Sequence, residues 1–190
     1  MKKYLILVLI VLLIGALTVG VLADKTGQAG KSNIAHLYLY EKEDDGSCDW
    51  PVVDGAWGKM KYNLLGEMFE FVFNGHGLMP GIDYTLVYYP DPWPGVGFMC
   101  LGEGTANGGG EVNIAGSYDT GDLPIEADDN ADPDETTYCN GETGAKIWLV
   151  PSTDINCETG TWNAWNHEVE GYIYLFEAEL INFTDTTSEE

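Results

Sequence analysis

Asp128, Asn130, Asp132 and Asp134 stand at every second position, which is how calcium loops present oxygen donors around an ion. The pattern departs from an EF-hand at two places. Pro133 stands where that loop turns on glycine, and Cys139 where it has its bidentate acid. The four residues lie within Asp119 to Gly144, a stretch of nine acids and no lysine. A solvated acidic loop is the expectation, and weak calcium binding there is the one metal chemistry the sequence supports. His36, His76 and His167 show no H-x-x-H or H-E-x-x-H spacing, so a copper or zinc site would need the fold to gather all three. Trp93, Trp162 and Trp165 sit in turn-rich stretches beside Asn and Asp, where exposed rings would stack on sugars. The competing expectation is that these rings fold back and cap the ends of the domain. No G-x-S-x-G and no phosphate-cradling glycine loop is present, and 31 acids offer too many pairs for any one to signal a glycosidase. The chain is therefore expected to be non-catalytic, without a cofactor other than calcium.

The elements that must position these residues lie in an exported chain. Lys2 and Lys3 precede an unbroken apolar run from Tyr4 to Leu13 and a softer stretch to Leu22, and Val21-Leu22-Ala23 before Asp24 has the small-residue spacing of a signal peptidase site. Residues 1–23 read as a signal peptide, with an uncleaved N-terminal anchor as the alternative and the only membrane attachment expected. Cys48, Cys100, Cys139 and Cys157 all follow this segment, and an even count in an oxidising compartment predicts two disulfides. Cys48 and Cys139 lie in acidic loops and Cys100 and Cys157 near strands, so the expected pairs are Cys48 with Cys139 and Cys100 with Cys157. The net charge is −23, carried by 31 acids against eight lysines and no arginine. A surface this negative excludes nucleic acid as a partner and favours solubility and the attraction of cations.

From Asn33 onward the periodicity is that of strands. Phe69, Phe71 and Phe73 alternate with Glu70, Val72 and Asn74, and Ile82, Tyr84, Leu86 and Tyr88 alternate with Asp83, Thr85, Val87 and Tyr89. Tyr172, Tyr174, Phe176, Ala178 and Leu180 are expected to share one face of a last strand. Asn107-Gly108-Gly109-Gly110 predicts a hairpin turn between two runs. About eight short strands separated by Gly, Pro and Asp turns predict an all-β antiparallel sandwich, immunoglobulin-like or related, with the long acidic loop at one end. A linker over 24–33, a single domain over 34–183 and an acidic tail over 184–190 complete the expected organisation.

Leu78-x-Pro80-Gly81-x-x-Tyr84 resembles the tyrosine corner of immunoglobulin-like and fibronectin type III sandwiches, in which the tyrosine hydroxyl bonds back across the turn. The long segment after Tyr84 departs from those domains. Ala35 to Lys42, Gly55 to Tyr62 and Phe71 to Leu78 also resemble a group of uncharacterised exported proteins of prokaryotes, a likeness that implies export and brings no catalytic residues. The expected function is that of an exported binding or structural module at the cell surface or outside the cell, its partner a glycan or a surface protein. Its alternatives are a carbohydrate-binding module with a calcium-stabilised loop and an acid-pair glycoside hydrolase.

Overall fold

Strand β4 (Phe69–His76) shows the period-two rule in burial: Phe69, Phe71, Phe73 and Gly75 are buried, while Glu70, Val72 and Asn74 face solvent. It belongs to a computed structural model that describes residues 32–43, 50–90, 98–119, 145–167, 169–179, 181 and 183–187. The compact unit spans Asn33–Glu190. Its long strands are β1 (Ile34–Lys42), β2 (Val52–Asn63), β4, β5 (Asp83–Pro90), β6 (Met99–Thr105), β7 (Val112–Tyr118) and β8 (Ala145–Pro151). The two-residue strands β3 (Leu65–Gly66), β9 (Ile155–Asn156), β10 (Thr161–Trp162), β11 (Phe176–Glu177) and β12 (Thr184–Asp185) complete the set among the described residues.

Two antiparallel sheets, ordered β11-β1-β2-β4-β7 and β6-β5-β8, pack face to face as an all-β sandwich. Leu37, Leu39, Met60, Phe69 and Phe73 meet Tyr84, Leu86, Tyr88, Leu101, Ile147 and Leu149 in the core between them. Gly58 is required there, because a Cβ at that position would lie 2.2 Å from Cζ of the Phe73 ring. At the Pro80-Gly81 turn Gly81 takes φ +80°, and the Met79 N–H donates to the Tyr84 hydroxyl at 3.3 Å.

Two expectations are corrected. Asn107 and its glycines do make a tight turn, with Gly110 N–H donating to the Asn107 carbonyl at 2.9 Å. The strands it joins are nevertheless in different sheets, β6 on β5 and β7 on β4, so the connection arches across the sandwich instead of forming a hairpin. Gly102 and Gly104 let β7 come close: a Cβ on either would fall 2.7 Å from Ile114 or 2.8 Å from Val112. The expected last strand is reduced to β11, and Tyr172 is exposed. Leu175 instead bridges to Leu149 of β8 through two 2.9 Å backbone bonds, while β11 pairs with β1. This segment thereby ties the two sheets together along one edge. At the end of the described chain, β12 pairs in parallel with β3, so ordered structure reaches into the stretch read as an acidic tail.

In the three-stranded sheet, β5 and β8 are buried on both faces, while edge strand β6 exposes Glu103 and Thr105. Every residue from Tyr84 to Tyr89 is buried, as is every residue from Ile147 to Val150. The outward residues Val87, Tyr89, Trp148 and Val150 lie under a second apolar layer supplied by Phe98, Ile155, Tyr174 and Phe176, with Trp50, Trp162 and Trp165 packed against it. The disulfide Cys100–Cys157, with Cα atoms 5.6 Å apart, staples that covering segment to β6.

Candidate functional site

The covering segment begins where Pro151 ends β8 and a 3-10 turn, Ser152–Asp154, carries the chain back over the sheet. Asp154 is 1 % exposed, and a buried carboxylate is tolerable only when its oxygens are satisfied. Its Oδ1 and Oδ2 accept from Asn166 Nδ2 at 3.0 and 3.1 Å, Oδ1 accepts from Thr153 Oγ1 at 3.0 Å, and Oδ2 accepts from the Tyr174 hydroxyl. The Tyr174 oxygen in turn accepts the Asn166 N–H at 3.0 Å, and the Asp154 carbonyl accepts the N–H groups of Asn163 and Ala164 at 2.8 and 3.2 Å. One carboxylate thus pins residues from Thr153 to Tyr174. Burial, followed by the bond to Asp154, pushes the Tyr174 hydroxyl well above the ordinary tyrosine range.

Around this peg the rings form a continuous cap. Trp148 stacks on Tyr89 with centroids 4.0 Å apart, Phe176 meets Trp148 edge-on at 5.1 Å, and Trp162 meets Trp165 edge-on at 5.3 Å. Trp162 and Trp165, two of the three rings read as sugar platforms, are half-buried here, on the outer face of the smaller sheet and not at the end of the sandwich. Trp93, the candidate calcium ligands Asp128, Asn130, Asp132 and Asp134, and the expected Cys48–Cys139 pair lie outside the described residues.

The three histidines are not gathered. His76 stands beside Trp57 at 4.6 Å and 3.9 Å from Glu111, His36 lies opposite Lys61, and His167 belongs to the cap. Among the described residues no group of three His, Cys, Asp or Glu side chains is placed to hold a metal. His167 stacks on Trp50 at 5.1 Å, with its Nε2 2.9 Å from the Lys42 carbonyl. A carbonyl only accepts, so Nε2 carries the hydrogen, and Nδ1 is buried with no partner among the described residues. The Lys42 ammonium donates to the Glu177 carbonyl at 2.8 Å. Burial pushes the Glu177 carboxyl from its ordinary value of 4.5 up to about 7, against the opposing pull of Lys146 and Lys42. The Trp148 indole lies toward that carboxyl, yet the approach falls short of hydrogen-bond geometry and leaves Oε2 buried and unsatisfied among the described residues.

These contacts build a half-open cleft of about 360 Å³ where the cap meets the end of β1. Glu41, Lys42 and Glu43 form one wall with Val53 of β2, and His167, Tyr172 and Tyr174 form the other. Glu41 is set by a glycine: its Oε2 accepts the Ala56 N–H at 2.9 Å and would lie 2.2 Å from a Cβ on Gly55. Tyr172, on the rim, is 39 % exposed. The lining therefore combines two carboxylates with the exposed Tyr172 ring and a half-buried His167 whose support is fixed. Neither Asp154 nor the cleft is visible in the sequence, where one acid among 31 carries no signal. The segment Trp162 to Tyr174, dense in aromatic residues after the last long strand, was the only pointer to it.

No family model, no curated protein and no solved structure matches this chain.

Proposed function

We propose that this chain is an exported, non-catalytic β-sandwich module that binds a ligand at the cell surface or outside the cell, and that it takes the ligand in the cleft between β1 and the aromatic cap. The observation that carries this reading is the preformed lining: Tyr174 is anchored on Asp154, His167 on the Lys42 carbonyl and Glu41 on the Ala56 N–H, so little order remains to be imposed on binding. Export is supported by the basic and apolar N-terminal segment with its Val21-Leu22-Ala23 site, and by a disulfide of the kind that persists in oxidising compartments. Carbohydrate recognition is the second reading, favoured by Tyr172, whose exposed ring stands beside two carboxylates able to accept sugar hydroxyls.

Binding of the labelled protein to an array of glycans and small surface ligands, with Tyr172→Ala alongside, tests both readings. Retention that Tyr172→Ala abolishes supports the cleft, and retention of glycans in particular supports the second reading. Retention indifferent to Tyr172 removes the cleft from the account. Turnover of any arrayed polysaccharide, lost in Glu43→Gln, would replace the module with an acid-pair hydrolase.

A further inference from the structure

We infer that the cleft selects a small organic cation carrying an alkylated ammonium group over neutral or anionic ligands of the same size. This rests on the reading of the cleft as the binding site. Its volume of about 360 Å³ suits a head group, within the range of small-molecule sites. Glu41 and Glu43 put two carboxylates on one wall. Lys42, the ammonium among the described lining residues, is held by the Glu177 carbonyl at 2.8 Å, and against its single charge the two carboxylates leave the lining net negative. An anion would meet these carboxylates in a protein of net charge −23, whose field excludes anions and enriches cations near its surface.

The opposite wall says which kind of cation. Tyr172 brings a 39 % exposed ring to it and His167 a half-buried one, with the buried Tyr174 behind them, and the negative face of a π-system attracts a positive charge within about 6 Å of its centroid. A hydrated metal ion needs a shell of oxygens, whereas this lining offers two carboxylates, one of them already accepting the Ala56 N–H. An alkylated ammonium holds its water weakly, gains from ring faces and needs no directed ligands, so the lining matches it on both walls.

Titration of the intact protein, monitored by amide chemical shifts, with choline, tetramethylammonium, the neutral isostere 3,3-dimethylbutanol, glucose and acetate, decides the matter. Choline and tetramethylammonium are expected to shift signals of Glu43, His167 and Tyr172, with the neutral isostere at least about tenfold weaker. Tyr172→Ala and Glu43→Gln should each weaken choline, and Tyr172→Phe should retain it; a thermal melt of each variant confirms the fold. Phosphatidylcholine vesicles present the same group on a lipid, and co-sedimentation in addition to binding of free choline would assign a membrane source to it. Equal affinity for choline and its neutral isostere, or choline shifts confined to another surface, would overturn the inference. Glucose bound in the cleft without any preference for cations would overturn it too while leaving the binding module intact. Silence of the cleft toward every ligand would remove both.

Discussion

Asp154→Ala should be the most damaging single substitution in the cap. The carboxylate accepts from Tyr174 and twice from Asn166, and it is 1 % exposed, so truncation strands a buried hydroxyl and a half-buried amide. Hydrogen bonds to a charged group contribute about 1.5 to 3 kcal/mol each, and orphaning a buried donor costs about 1 to 3 kcal/mol, which together put the loss near 4 kcal/mol. Against a total stability of about 5 to 15 kcal/mol that is a large share. Urea denaturation followed by tryptophan fluorescence, which reports directly on Trp50, Trp148, Trp162 and Trp165, measures it. Tyr174→Phe removes the same bond and also strands the Asn166 N–H, so the double variant should lose at least about 1 kcal/mol less than the sum of the single losses, a non-additivity expected of residues that share one bond. A loss below about 1 kcal/mol, or strict additivity with Tyr174→Phe, would refute the view that this carboxylate organises the cap.

Further outcomes follow from other parts of the fold. Glu177 is pushed up to about 7 in the fold against an ordinary 4.5, so the folded chain holds this proton more tightly than the unfolded one. Its contribution to stability is then greatest below about pH 4.5, falls as the pH rises to about 7 and is level above; Glu177→Gln should match the wild type near pH 4.5 and exceed it by up to roughly 3 kcal/mol at pH 8 in urea midpoints. Gly58→Ala drives a methyl into the Phe73 ring and should cost about 1 to 3 kcal/mol, partly recovered by Phe73→Leu, in the same assay. Replacing Cys100 and Cys157 by serine opens a loop with a sequence separation of 57 residues and should lower stability by up to about 4 kcal/mol in the chain-entropy limit, read from thermal and urea unfolding without reductant.

What was legible in the sequence was governed by local rules. The alternation of Phe69, Phe71 and Phe73 marked β4 because one face of that strand meets the core and the other meets water. Pro80-Gly81 and Tyr84 announced their turn and its hydrogen bond because both depend on a few adjacent residues. Alternation loses its meaning where both faces are buried. Tyr174, Leu175 and Phe176 are all buried, Leu175 in the core between the sheets and its neighbours in the outer layer, so no polar residue betrays the strand. The turn at Asn107 was readable, but the sheet to which each flanking strand belongs depends on Gly102 and Gly104 meeting Val112 and Ile114 across the sandwich. The cleft was illegible for the same reason. Glu41 and Gly55, or Asp154 and Tyr174, are pairs made by tertiary contact, and neither residue type nor spacing distinguishes them from the chain's other acids and tyrosines.

The central claim is that the cleft beside the aromatic cap is where this protein binds. Amide chemical-shift mapping of the wild type and Tyr172→Ala against a library of small polar, aromatic and charged ligands tests it most directly. Hits are expected whose shifts converge on Glu41, Lys42, Glu43, Val53, His167 and Tyr172 in the wild type and vanish in the variant. Hits that converge on another face of the sandwich, or that persist unchanged in Tyr172→Ala, would contradict it.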